Sequence, residues 1–250
     1  MKNTERFSDR VSNYVKYRPS YPLELIQPLT QQCNINANTV IADVGSGTGK
    51  LTELLLEQNY FVFGVEPNQA MREAAEDLFQ ANAKFVSVAG KSEATELDDK
   101  SIDIIVAAQA FHWFEPSVTK QEFNRILKPD GFIALIWNQR DITSPFQDAY
   151  DQMLAKHCAE YRDVNHRNIK DSEFEAFFSP NKFEIFSFPY AQNFDRASFL
   201  GRMYSSSYTP NQGSREAEHL NTAAEKMFNE HEHNGVIEFD YESNLYLAHC

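Results

Sequence analysis

VIADVGSGTGKLTELL, residues 40–55, carries an apolar run into a helical pattern through three alternating glycines. The run Val40–Val44 is almost continuously hydrophobic, as a strand covered on both faces must be. Leu51, Leu54 and Leu55 then recur at helical spacing. Glycines between two such elements let the backbone turn tightly and approach a ligand closely. Gly45, Gly47 and Gly49 are spaced G-x-G-x-G, and Lys50 stands where a dinucleotide fingerprint would place its last glycine. Asp43, just ahead of the loop, puts a carboxylate there that opposes a pyrophosphate and suits an ammonium group. The plainer alternative is a structural turn before an acidic helix start.

Working outward, FVFGV (61–65) reads as a second strand, and Glu66 ends it where an acid accepts both hydroxyls of a ribose. A sugar clamp, a glycine turn and no phosphate-friendly charge describe a nucleoside joined to an amino acid. S-adenosylmethionine fits that description. KFVSV (84–88), IDIIVAA (102–108) and FIALIW (132–137) are further buried strands. The helices between them are predicted over 50–58, 69–81 and 118–127, the last stopped by KPDG. In the second, Ala70, Met71, Ala74, Ala75, Leu78 and Phe79 form the apolar face. Strands alternating with helices through short loops predict an α/β fold with a doubly wound, mostly parallel sheet.

Beyond Trp137 the rhythm changes. FQDAYDQMLAKHCAEY (146–161) sets Phe146, Tyr150, Met153, Leu154, His157 and Tyr161 on one helical stripe, and REAEHLNTAAEKMFNEH (215–231) is a second helix. KFEIFSF (182–188) and GVIEFDYESNLYL (235–247) are strands, with Ile237, Phe239, Tyr241, Leu245 and Leu247 sharing one face. The expectation is one domain over 1–250. An N-terminal helical or lid arm takes 1–39 and a ligand-binding core 40–138. Cap insertions take 139–181 and 194–234, and the last strands 182–193 and 235–250.

Hydrophobic residues make up 42 % and charged residues 24 % of the 250, an ordinary globular balance. The net charge is −13, from 36 acids against 23 Lys and Arg, which repels a phosphate backbone, so no nucleic-acid partner is expected. Three scattered cysteines form no CxxC pair and read as reduced thiols. Residues 1–14 show no apolar leader, and no stretch has the length of about 20 apolar residues that a membrane span needs. A soluble cytoplasmic protein without a membrane partner is expected. His231 and His233 in HEHNG have no third ligand at useful spacing, so no metal site is expected.

IADVGSGTGKLT, VEPNQAM, GKSEAT, IDIIVAAQAFHWF and ILKPDGFIALIWN, taken in order over residues 14–138, resemble the successive motifs of class I S-adenosylmethionine-dependent methyltransferases. YRPSYP and AFHWF are similar to the small-molecule subgroup that includes trans-aconitate methyltransferases. The resemblance implies a Rossmann-like sheet of seven strands with the seventh antiparallel, helical caps, and S-adenosylmethionine as cofactor. It implies that Asp43 and the backbone of Gly45, Ser46, Gly47 and Gly49 face the methionine part. Glu66, with Pro67 beside it, would bind the ribose, and Met71 would lie against the adenine. Ser92 and Glu93 would meet the adenine edge; Lys91 stands where many members carry Asp, so Glu93 takes the amino contact.

Residues 109–114 follow the fourth strand, and in an open α/β sheet ligands bind beyond the carboxyl ends of the strands. Gln109 is therefore expected beside the cofactor. His112 could bond an acceptor or take its proton, and Trp113 or Phe111 could wall the pocket and stabilise a cationic sulfur. Arg18 and Tyr21, with Tyr14 and Tyr17, lie on a stiff, proline-bounded strip expected to act as a lid. Arg140 and Arg18 are best placed to hold an anionic acceptor, with Trp137, Asn138, Arg202, Tyr204 and Tyr208 as further candidates. The expected activity is methyl transfer to a small molecule, at a carboxylate or hydroxyl oxygen. The alternatives are a methyltransferase acting on a macromolecule, a non-catalytic S-adenosylmethionine-binding regulator, and a nicotinamide enzyme, which Lys50 and Asp43 disfavour.

Overall fold

The computed structural model describes residues 15–33, 35–162 and 171–250; Tyr14 and the rest of residues 1–14 lie outside them. Seven strands form one sheet: β1 (Val40–Val44), β2 (Phe61–Val65), β3 (Phe85–Val88), β4 (Ile102–Ala108), β5 (Leu127–Arg140), β6 (Phe183–Phe194) and β7 (Ile237–His249). Their order is β3-β2-β1-β4-β5-β7-β6. The pairs from β3 through β5 are parallel, whereas β7 runs antiparallel to both β5 and β6. The sheet is therefore mixed by one reversed strand. Since β1 lies between β2 and β4, the loops leaving β1 and β4 diverge and open a crevice at the strands' carboxyl ends.

Crossovers and cap supply the helices α1 (Ile26–Gln32), α2 (Lys50–Glu57), α3 (Gln69–Phe79), α4 (Pro116–Ile126), α5 (Pro145–His157), α6 (Asp171–Phe178), α7 (Arg196–Tyr204) and α8 (Arg215–His231). Their starts follow local chemistry. The Asn68 side chain accepts from the Met71 amide, and Ser144, Asp195 and Ser214 cap α5, α7 and α8 in the same way. Proline at the first position begins α4 two residues earlier than its apolar pattern, since a missing N–H costs nothing there. KPDG does not form a separate loop; β5 already includes it, with Asp130 at φ 60°. On α3 the buried line is Met71, Ala75 and Phe79, one turn apart, and Leu78 falls beside it, 51 % exposed.

Apolar residues gather in three clusters. Leu25, Leu29, Leu51 and Leu55 pack with Ile41, Val62 and Ile104. A second cluster contains Phe123, Ile126 and the α6 phenylalanines Phe174, Phe177 and Phe178. Phe174 stacks on Tyr246 of β7 at 4.2 Å, which ties α6 to the sheet. The third cluster is the cap, where Tyr150 of α5, Phe199 of α7 and Phe228 of α8 surround Phe239. The segment 139–181 therefore divides, α5 joining the cap and α6 covering the sheet. Among the described residues no helix is long and apolar enough to cross a membrane, and no group of three His, Cys, Asp or Glu could hold a metal ion.

Candidate active site

The crevice is a cleft of about 360 Å³ whose floor is the glycine loop after β1. Gly45 and Ser46 donate their amides to the Val65 carbonyl at 2.8 and 3.2 Å, lashing the loop across the end of β2. Gly45 has φ +74°, and a Cβ there would stand 2.6 Å from that of Ala110, so this position needs glycine twice over. Glu66 Oε2 accepts from the Gly47 amide at 2.9 Å and Oε1 from the Asn68 amide at 2.7 Å. Both oxygens are thereby aimed, and each keeps a lone pair for a diol. Burial raises the Glu66 pKa.

Asp43 is 1 % exposed, and its Oδ2 accepts from Thr52 Oγ1 at 2.6 Å. Its Oδ1 has no hydrogen-bond partner among the described residues, nor has Thr48 Oγ1 on the same wall. Burial pushes the Asp43 carboxyl up to about 7. Met71 and Pro67 continue this wall, the Met71 sulfur lying against Gly47.

Ser92 and Glu93 line the far end. Thr119 Oγ1 lies 3.1 Å from Ser92 Oγ, while Glu93 Oε1 accepts from the Glu115 amide at 3.0 Å. Glu122 holds their loop by accepting from the Thr95 amide and hydroxyl at 2.7 and 2.6 Å, and hydrogen bonds from Arg125 keep its carboxyl down at about 2.

Gln109, at φ 52°, donates to the Asn138 carbonyl at 2.8 Å. The Asn138 amide reaches the Ser20 carbonyl at 3.0 Å, and Ser243 donates to Asn138 Oδ1 at 2.7 Å. These bonds seat the strip carrying Arg18 and Tyr21 on the end of β5, against the middle of β7. The Tyr17 ring packs on Gly201 of α7, where a Cβ would be 2.1 Å from it. Arg18 donates to the Ser205 carbonyl at 3.3 Å.

His112 and Trp113 form the roof with ring centroids 4.4 Å apart, and Trp137 stands behind His112 at 5.4 Å and 90°. Burial, aided by the Arg18 charge, pushes the His112 pKa down to about 3. The imidazole is neutral at neutral pH.

Of the expected residues, Arg140, Gly49, Phe111 and Tyr204 stand away from the cleft. Arg140 lies two residues beyond Asn138, about 7 Å along the strand. There its Nη2 meets Asp151 Oδ1 of α5 at 2.8 Å and the Tyr161 hydroxyl at 3.0 Å, and its guanidinium lies 4.9 Å over the Tyr150 ring. It is a buried structural cation, not a wall of the cleft. Gly49 serves the helix start instead, with Phe79 where its Cβ would be. Phe111 turns into the core against Phe174 and Phe177, which leaves Trp113 as the wall, and Tyr204 bonds Asn221 within the cap.

Residues 42–135 match the family described as a methyltransferase domain. A curated relative, an uncharacterized methyltransferase of Schizosaccharomyces pombe, is 32 % identical over 154 residues, 60 % of this chain and 59 % of that one. The chain thus spans under two thirds of that relative's length. A solved structure from Anaeromyxobacter dehalogenans, assigned as a type II methyltransferase, superposes with a TM-score of 0.66 at 19 % identity, over 93 % of this chain and 98 % of that one. A Haemonchus contortus phosphoethanolamine N-methyltransferase in complex with S-adenosylhomocysteine gives 0.57 at 12 % identity, over 98 % of this chain and 58 % of that one.

Several residues on the cleft wall had no sequence prediction of their own: Thr48, Asn68 and Tyr241. Asn68 was legible as a helix cap. Tyr241 shares its alternation with core residues, so its place on the cleft had no local signal.

Proposed function

We propose that the chain is an S-adenosylmethionine-dependent methyltransferase acting on a small molecule at an oxygen that arrives already ionised. The observation that carries this reading is the buried, half-satisfied Asp43 beside the aimed Glu66 in one cleft. Those groups fit an amino acid at one point and a ribose diol at the other. A diphosphate would meet two carboxylates instead.

When bound, the cofactor supplies an electrophilic methyl on a sulfonium, transferred by in-line displacement. The chain's own residues hold the reactants. Asp43 accepts from the ammonium, Glu66 from the ribose, and Met71 with Ser92 and Glu93 frames the adenine. Trp113 offers a π face to a cationic sulfur, and a neutral His112 adds no repelling charge beside it. An imidazole so far below its ordinary pKa of about 6.5 is a poor proton acceptor, which favours a carboxylate acceptor over a hydroxyl. The strip with Tyr21 and Arg18 closes over the acceptor, excluding water and fixing alignment. The small-molecule subgroup resemblance agrees with a cleft walled on both sides.

Calorimetry with S-adenosylmethionine and NAD tests the cofactor, and labelled-methyl transfer to a panel of small acids, phenols and amines tests the acceptor. Tight binding of NAD alone ends this reading. Cofactor binding with no transfer to any panel member, while a protein or RNA is labelled, moves the assignment to a macromolecular acceptor.

A further inference from the structure

Arg202, on α7, is 4 % exposed and lies on the cleft wall with Tyr208 and Tyr241. Its Nη2 donates to the Tyr241 hydroxyl at 3.2 Å, and its guanidinium stands 5.7 Å over the Phe239 ring. Nε and Nη1 have no partner among the described residues. The groups that face it electrostatically are the hydroxyls of Tyr241, Tyr150 and Tyr208, and no carboxylate is among them. Nearby Arg140 shows what a purely structural guanidinium looks like here: it has Asp151 at 2.8 Å.

Taking a cation out of water without a counter-ion is among the costliest arrangements in a protein interior. Such a group is retained where something else brings the charge. The cleft carries Asp43, Glu66 and Glu93 together with Lys50 and Lys91 around the cofactor end, and Arg202 with Arg18 toward the cap.

We propose that Arg202 is the anion-receiving point of the acceptor site, and that the acceptor brings a carboxylate to it. The proposal rests on the methyltransferase reading for what the cleft holds beside it. The N–H groups left without a partner among the described residues, at Nε and Nη1, are charge-assisted donors for carboxylate oxygens. A phosphate monoester would bring about two charges against this one buried cation. The tyrosine hydroxyls are neutral donors that complete the carboxylate's shell without cancelling Arg202.

The test is thermal unfolding of the full chain saturated with S-adenosylhomocysteine and titrated at constant ionic strength. The probes are benzoate and succinate, their amides, and inorganic phosphate. At roughly ten times its dissociation constant a carboxylate raises Tm by about 3 °C, its amide does not, and phosphate does less. Arg202→Met keeps the shift produced by S-adenosylhomocysteine, loses the carboxylate shift, and without ligand melts no lower than the parent. A merely structural arginine gives the opposite: a lower ligand-free Tm and an unchanged carboxylate response. Arg202→Lys, which keeps charge but loses the fork, retains only part of the shift and serves if the methionine variant does not fold.

No response to any carboxylate, equal response to the amides, or a larger response to phosphate overturns the proposal. Absence of any shift with S-adenosylhomocysteine overturns the cofactor reading instead, and a carboxylate shift that depends on Arg202 would survive it.

Discussion

Asp43 and Thr52 share a 2.6 Å hydrogen bond that occupies one carboxylate oxygen and leaves the other facing the cleft. Thr52 comes from the first turn of α2 and Asp43 from the end of β1, so the glycine loop between them sets this contact. Burial pushes the carboxyl up to about 7, so the protonated form is favoured below that pH. The stability this group contributes is present at low pH and is lost as pH rises through about 7. An ammonium group reverses the preference, because it needs the carboxylate.

Binding of S-adenosylhomocysteine therefore strengthens as pH rises toward 7, by up to about tenfold per unit, and levels off above it. Adenosine, which has no ammonium, shows no such slope. Asp43→Asn removes the slope and weakens binding by on the order of 2 kcal/mol. Calorimetry across this range decides the matter: a slope that persists in the asparagine variant assigns the titration to another group.

His112 leads to the opposite expectation for catalysis. With its pKa lowered to about 3, the ring holds no proton to release between pH 5 and 8. The pH profile of kcat then shows no limb near the ordinary histidine value of about 6.5. Arg18→Met, which removes the neighbouring cation, raises the His112 pKa; a titration followed by NMR reads the change. His112→Asn costs less than about tenfold in kcat, because it removes packing against Trp113 and Trp137 but no proton acceptor. A larger loss, accompanied by disappearance of an acidic limb, would falsify the ionised-acceptor reading.

The parts of the site readable from sequence are those whose chemistry is local. Asp43, the glycines, Glu66 and Met71 lie within one strand–turn–helix unit and its neighbour, so order along the chain already places them. Ser92 and Glu93 follow the next strand for the same reason. Arg140 and Arg202 show where this stops. Both sit among the same tyrosines, and only the docking of α5, which brings Asp151, decides that Arg140 is compensated and Arg202 is not. That docking is a contact between distant segments and leaves no mark on either arginine's neighbours. The exposure of Leu78 has a similar origin, because the width of a buried stripe is set by what packs against it.

Gly45 offers a test of the loop's geometry with a built-in control. Gly213 has a similar φ of +87° but nothing within 4 Å of the Cβ position, so Gly213→Ala loses only about 1 kcal/mol. Gly45→Ala adds a 2.6 Å clash with Ala110 and loses roughly 2 to 3 kcal/mol in urea unfolding, together with S-adenosylhomocysteine binding. Equal losses for the two variants would mean that backbone conformation, not close approach to β4's loop, makes glycine necessary at position 45.

Asp151 tests whether Arg140 is structural. Among the described residues, Asp151→Asn leaves the buried guanidinium with the Tyr161 hydroxyl and the Tyr150 face. The carboxylate is 24 % exposed, which places the loss toward the lower end of the range for breaking a buried pair, about 2 to 3 kcal/mol in urea unfolding. Adding Arg140→Met in the same chain removes the stranded charge and recovers most of that loss, since a well-packed apolar side chain can replace a buried ion pair at little net cost. Affinity for S-adenosylhomocysteine stays within about twofold throughout, because neither residue borders the cleft. A double variant as unstable as the single one would show that the arginine itself, rather than its compensation, holds α5 against the sheet.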